Sequence, residues 1–164
     1  MSIDSQMTES MVPSSNHLAL DFTVETRHAC DERIEISILR AALEASWDYR
    51  TAYQSVQCAG NPALGQCYPT SRVVQWFLPE FEIARGQVWT GETTEAHFWN
   101  VRRSEAGLEH LDLSWSQFPP GSAVKSFELL DRQNFGDGPT TTARVELLLQ
   151  RVLLKLAATS ALSR

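Results

Sequence analysis

The strongest constraint in this sequence is a single apolar stripe near its C-terminal end. Val145, Leu148, Leu149, Val152, Leu153 and Leu156 recur at the spacing of one helical face. A helix with such a stripe must bury it against other elements, so the chain has to build a packed core around this segment. The middle of the chain has a different period. Alternation begins at Phe81, Ile83 and Arg85, and 88–90, 96–102 and 108–115 are further strand candidates. Pro119, Pro120 and Gly121 close this β section, and 122–139 reads as irregular, with a turn at Gly136-Asp137-Gly138-Pro139.

Two helices precede the strands. Ile34, Ile38, Ala42 and Ala45, flanked by Leu39, Leu43 and Trp47, predict an amphipathic helix of about 18 residues with Asp31 as its N-cap. A loop over 48–64 leads to a second helix carrying Val73, Val74, Trp76 and Phe77. Pro69 fits only its first turn and Pro79 ends it, which puts Cys67 at or just before the helix N-terminus. Residues 1–30 read as a partly mobile tail, with Leu18, Leu20 and Phe22 as a short edge-strand candidate. Residues 31–164 read as one domain. Its helices and antiparallel strands are segregated along the chain, which is an α+β pattern.

Composition narrows the function. The net charge is −6 and no basic run occurs, so nucleic acid and anionic membranes are poor partners. No apolar run approaches the ~20 residues of a membrane span. The first residues lack a basic and then apolar signal pattern, so a cytoplasmic location is expected. Three cysteines, Cys30, Cys58 and Cys67, are an odd set for disulfides in a reducing compartment, and their spacing is not that of a zinc site. Cys30 and Cys58 read as structural.

Cys67 is the candidate nucleophile, because a helix N-terminus favours a thiolate through its free N–H groups and dipole. By position alone, a small buried hydrophobe is the commoner role of a cysteine. His97, on a strand face with Trp99 and Val101, reads by itself as a histidine within a sheet. Asp112, between Leu111 and Leu113, reads by itself as the solvent face of an edge strand. A hairpin turn centred between Ser104 and Glu105 would set His97 directly opposite Asp112 on one face. The carboxylate would then orient the imidazole while its other nitrogen faces the thiol. His17, His28 and His110 lack a partner pattern, and Trp47, Trp76 and Trp89 are assigned to core or surface without a function.

The order Cys, His, Asp is that of papain-like and transglutaminase-like thiol enzymes. More specifically, Asn61-Pro62-Ala63-Leu64-Gly65-Gln66-Cys67, His97-Phe98-Trp99-Asn100 and Leu111-Asp112-Leu113-Ser114-Trp115-Ser116-Gln117-Phe118 resemble the bacterial YunG-like family. Its pattern is roughly NPxxGQC, HYWN and IDLTxxQF. Ser46-Trp47, Thr51-Ala52-Tyr53 and Arg144-Val145-Glu146-Leu147-Leu148 extend the resemblance over about 38–152. Phe98 stands where the pattern has Tyr, and Ser114 where it has Thr. The resemblance implies a papain-like or NlpC/P60-like domain, with the nucleophile helix packed on a small antiparallel sheet between N- and C-terminal helices.

On that reading Cys67, His97 and Asp112 form a triad, and Gln66 and Asn61 are candidate oxyanion donors. Asn61 is equally well explained as part of an Asn-Pro turn. Asn100, Trp99 and Trp115 would line the substrate pocket, with core packing favoured for Trp99. The expected activity is acyl transfer through a thioester on Cys67, as hydrolysis or transfer, acting on a small-molecule or peptide acyl substrate. No cofactor and no metal are implied; a zinc site at the same three residues would lack short-spaced ligand pairs. The alternatives are a biosynthetic tailoring enzyme that uses the thiol for cyclisation or addition, and a non-catalytic binding domain that keeps the fold.

Overall fold

The computed structural model describes residues 34–133 and 135–162. The expected tail, the strand candidate at Leu18–Phe22, the Asp31 cap, His17, His28 and Cys30 all lie outside the described residues. The described chain is α+β: three α-helices and a four-stranded antiparallel sheet in the order β3-β2-β1-β4. The elements are α1 (Ile36–Glu44), α2 (Cys67–Phe77), β1 (Glu82–Trp89), β2 (Thr94–Ser104), β3 (Gly107–Leu111), β4 (Ala123–Leu129) and α3 (Pro139–Leu162). Among the described residues, no helix is long and apolar enough to cross a membrane.

The C-terminal stripe finds its core. Leu148 and Val152 of α3 are fully buried against Leu39 and Leu43 of α1, Val73 and Val74 of α2, and Phe81 and Leu113. Each such side chain removed from water contributes roughly 1.5–3 kcal/mol. Pro139 opens α3, where its missing N–H costs nothing.

α1 is shorter than the periodicity predicts: nine residues, begun by Glu35 without a side-chain cap. The apolar spacing does continue past its end, but the backbone leaves the helix there. Asp48 accepts backbone N–H groups from Thr51 and Ala52, and the Thr51 hydroxyl bonds the Asp48 N–H and C=O, forming a tight turn. Trp47 sits outside the helix and donates its indole N–H to Thr70 Oγ1 of α2 at 3.1 Å, while still packing on the same core.

Three strand expectations change. The candidates at 81–85 and 88–90 form one continuous strand, β1. Gly86 lies at its centre because the Trp99 ring crosses over it: a Cβ there would stand 2.4 Å from the Ser126 carbonyl oxygen and 2.6 Å from the indole. The segment 122–139, read as irregular, contains β4. Its pairing with β1 shifts between Gln87 and Val88, so Ser126 and Val124 face consecutive partners and Lys125 is bulged out. The bulge spaces Val124, Phe127 and Leu129 unevenly, which hides the period of two. Finally, β3 ends at Leu111, so Trp115 lies not on a strand but in a short 3₁₀ turn, Trp115–Gln117.

Replacing Gly86 by Ala therefore forces the Trp99 ring or the β4 backbone to move. Overpacking of this kind costs about 1–3 kcal/mol. A lower urea midpoint with an unchanged m-value is the expected result, and an unaltered midpoint contradicts the close approach.

Candidate functional site

Sequence dictates where each of the three central residues sits. Cys67 is the first residue of α2, half-exposed, on a turn whose N–H groups have no carbonyl one helical turn behind them. Pro69 removes one further donor and Thr70 N–H bonds Gln66 O, leaving the Cys67 and Tyr68 N–H groups without a backbone partner among the described residues. His97 is in β2, opposite Gly86 of β1, and is completely buried. Asp112 is the first residue after β3.

The hairpin does not set His97 directly opposite Asp112. Ser104 pairs with Gly107, so the turn is centred between Glu105 and Ala106, one residue later than expected. A one-residue shift of the centre moves the register by two and so preserves the face. The contact survives because β3 stops and the chain bends back. Asp112 Oδ2 then lies 2.6 Å from His97 Nε2. The other carboxylate oxygen, Oδ1, accepts the Ser114 N–H at 2.9 Å and the Ser114 hydroxyl at 3.1 Å. This turn aims the carboxylate, and it needs a hydroxyl at 114, which both Ser and Thr supply.

With Nε2 taken by Asp112, Nδ1 is the ring nitrogen left for other partners. The Gln117 side-chain amide stands 3.1 Å from it, with Nε2 matched to a neutral ring and Oε1 the atom that must face Nδ1–H when the ring is protonated. Gln117 was not among the candidate residues, although it lies within the third motif and its spacing from Asp112 brings it back over the ring. The thiol of Cys67 is close enough to act on the protonation of His97. Aromatic rings enclose the imidazole: Trp99 stacked at 5.6 Å, Trp115 edge-on at 5.9 Å and Phe118 edge-on at 4.7 Å between centroids.

Burial in this enclosure disfavours a charged ring. The hydrogen bonds and charges of Asp112 and Cys67 outweigh it, and the His97 pKa is pushed up to about 9. Such a ring is cationic at neutral pH and stabilises an adjacent thiolate.

The other candidates divide. Gln66, 1 % exposed, donates Nε2 to Asp48 O and accepts the Thr51 hydroxyl at Oε1, each at 2.9 Å. Its side chain, expected to be an oxyanion donor, therefore ties down the loop before α2. Asn61 donates Nδ2 to the Gln117 carbonyl at 2.8 Å, joining the loop before Cys67 to the segment that carries Gln117. Its Oδ1 is buried with no partner among the described residues. Asn100, expected to line the pocket, is buried and donates to the Ser71 carbonyl of α2 at 3.0 Å. It sets the position of β2 along the helix that bears Cys67.

Trp99 packs beneath His97 and donates its indole N–H to His110 Nδ1 at 2.9 Å, so His110 does have a partner. Trp115 is half-buried and covers the imidazole. Cys58, expected to be structural, is exposed in the loop and contributes nothing to the core. Among the described residues, no three His, Cys, Asp or Glu side chains are grouped so as to hold a metal ion.

The raised pKa has a thermodynamic consequence. Stability from protonated His97 is complete below its ordinary pKa of 6.5 and is lost as the pH rises through about 9. Asp112→Asn removes the main partner of the charged ring. By NMR titration the His97 pKa of that variant should fall well below 9. The difference in unfolding free energy between wild type and variant should shrink as the pH rises from 6.5 to 9. A pKa that stays near 9 without the carboxylate would contradict this account.

The family model described as YunG protein matches residues 35–157. No match was found among curated proteins or among solved structures. The matched span contains Cys67, His97, Asp112 and Gln117 together with every element described above except the last residues of α3, and it covers most of the chain: this protein belongs to the YunG family.

Proposed function

We propose that the protein is a cysteine-dependent acyl-transfer enzyme. The observation that carries this reading is the buried His97 ring, held at Nε2 by Asp112 at 2.6 Å, with the Cys67 thiol at the N-terminus of α2 among the groups that raise its pKa. An imidazole with a carboxylate on one side and a thiol on the other is the arrangement that activates a sulfur nucleophile. The papain-like order of the three residues is consistent with it.

In the proposed reaction the Cys67 thiolate attacks an amide or ester carbonyl and a C–S bond forms. The carbonyl oxygen takes the negative charge and is met by the free N–H groups at the start of α2. The intermediate then collapses, the C–N or C–O bond breaks, and His97 gives its proton to the leaving group. The acyl group remains as a thioester on Cys67. His97, now neutral, removes a proton from water or an acceptor amine as it attacks the thioester, and the thiolate returns. Asp112 keeps the ring oriented and compensates its charge. Gln117 and Asn61 hold the loop over the ring, and the aromatic enclosure keeps bulk water off it.

The test is site-resolved thiol alkylation across pH, with Cys58 as the exposed internal reference. A thiol with an ordinary pKa near 8.5 is about 1 % thiolate at pH 6.5, so an ion pair raises the thiolate fraction roughly a hundredfold. Part of that gain is offset by the lower nucleophilicity of a low-pKa thiolate, leaving an advantage of about tenfold. Cys67 should outpace Cys58 by about this factor below pH 7 and lose the advantage in His97→Ala. A Cys67 that titrates like Cys58, or does not react, removes the acyl-transfer reading and leaves a binding domain.

A further inference from the structure

A cavity of about 260 Å³ opens between α2, β2 and the start of α3, and nothing in the reaction above uses it. Tyr53, Tyr68, Phe98, Leu130 and Phe135 form its apolar walls, and Arg144 of α3 stands at its side. The walls are held in place by their own contacts. Tyr68 meets Phe98 edge-on at 4.8 Å, and the Arg72 guanidinium lies over the Phe135 ring at 4.1 Å. The Tyr68 hydroxyl donates to Asp137 Oδ1 at 2.5 Å, and Arg72 pairs with the other oxygen of the same carboxylate.

The charges around this cavity do not cancel. Asp137 is compensated by Arg72, and Arg85, also at the rim, is paired with Glu128. Arg144 is half-buried, lies 5.9 Å from the Tyr53 ring centroid, and has no ion pair or hydrogen bond among the described residues. One guanidinium is thus left over beside an aromatic pocket. Five donors in a planar fork match a carboxylate. A single uncompensated positive charge suits a monoanion better than a dianion. The volume is below the ~300–1,000 Å³ of sites for drug-sized ligands, which limits the occupant to about one ring or a short chain.

We infer that this cavity is a binding site for a small aromatic or aliphatic monocarboxylate, with the ring or chain among Tyr53, Tyr68, Phe98 and Phe135 and the carboxylate on Arg144. The site does not rest on the thiol chemistry, although its walls include the residues that directly follow Cys67 and His97 in the chain. Binding should therefore survive the loss of Cys67.

Ligand-observed NMR and calorimetry on the full chain test it, with phenylacetate as the probe and phenylacetamide as its uncharged counterpart. Phenylacetate should bind wild type and Cys67→Ala equally, and the amide at least tenfold more weakly. Arg144→Gln should weaken phenylacetate at least tenfold and bring it level with the amide, with circular dichroism confirming that the variant is folded. The acid–amide comparison on wild type stands even where the variant does not fold. Absence of phenylacetate binding, equal binding of acid and amide, or full binding by folded Arg144→Gln overturns the assignment. Binding that disappears in Cys67→Ala places the probe at the thiol and also overturns it. Failure of the acyl-transfer reading in the alkylation experiment leaves these outcomes unchanged.

Discussion

An imidazole wholly removed from water needs a partner at each nitrogen, and much of this structure meets that need for His97. Asp112 takes Nε2, and Gln117 and Cys67 supply the other contacts. To bring Asp112 and Gln117 to one ring, the chain must leave the sheet after Leu111, turn at Ser114 and fold back as a short 3₁₀ turn. The same bend drops Leu113 into the helical core and Phe118 against the imidazole. The polar requirement and the apolar burial thus select the same path for 112–118. A ring without the Asp112 carboxylate would carry the full cost of desolvation and would not hold a proton near pH 9.

Around that ring, buried and half-buried amide side chains tie backbone segments together, at positions that the sequence suggests are catalytic. Gln66 and Asn61 lie just before the nucleophile, yet each bonds backbone at a distance: Gln66 to Asp48 and Asn61 to Gln117. Asn100 bonds Ser71 across the junction of strand and helix. Neutral amides suit this task, because they satisfy carbonyls without adding charge beside an ion pair. The positive end of α2 is then left to its own N–H groups, which are rigid and need no side chain to aim them.

How legible this was in the sequence depended on whether local pattern or long-range pairing decided each element. The stripe of α3 and the start of α2 at Cys67, bracketed by Pro69 and Pro79, follow from spacing and proline chemistry alone. The length of α1 does not, because the hydrogen bonds of Thr51 and Asp48 end the helix while the apolar spacing continues. β4 does not, because the bulge at Lys125 breaks its alternation. The meeting of His97 and Asp112 was legible as a shared face. Its geometry was not, since the hairpin turn is centred one residue later and the bend after Leu111 makes the contact. Gln117 carried a signal only as part of a motif, as nothing in local spacing points a 3₁₀-turn glutamine at a strand histidine.

The sequence by itself determined the apolar stripe of α3, where α2 begins, and that a thiol stands at a helix N-terminus. These follow from periodicity and from the backbone limits of proline, which act within a few residues. Only the tertiary structure decided which amide groups serve as tethers, what aims Asp112, and that Arg144 has no ion pair among the described residues beside an aromatic cavity. Each of these depends on which polar groups meet across tens of residues, and on the low-dielectric interior where an unmatched charge or hydrogen bond is costly.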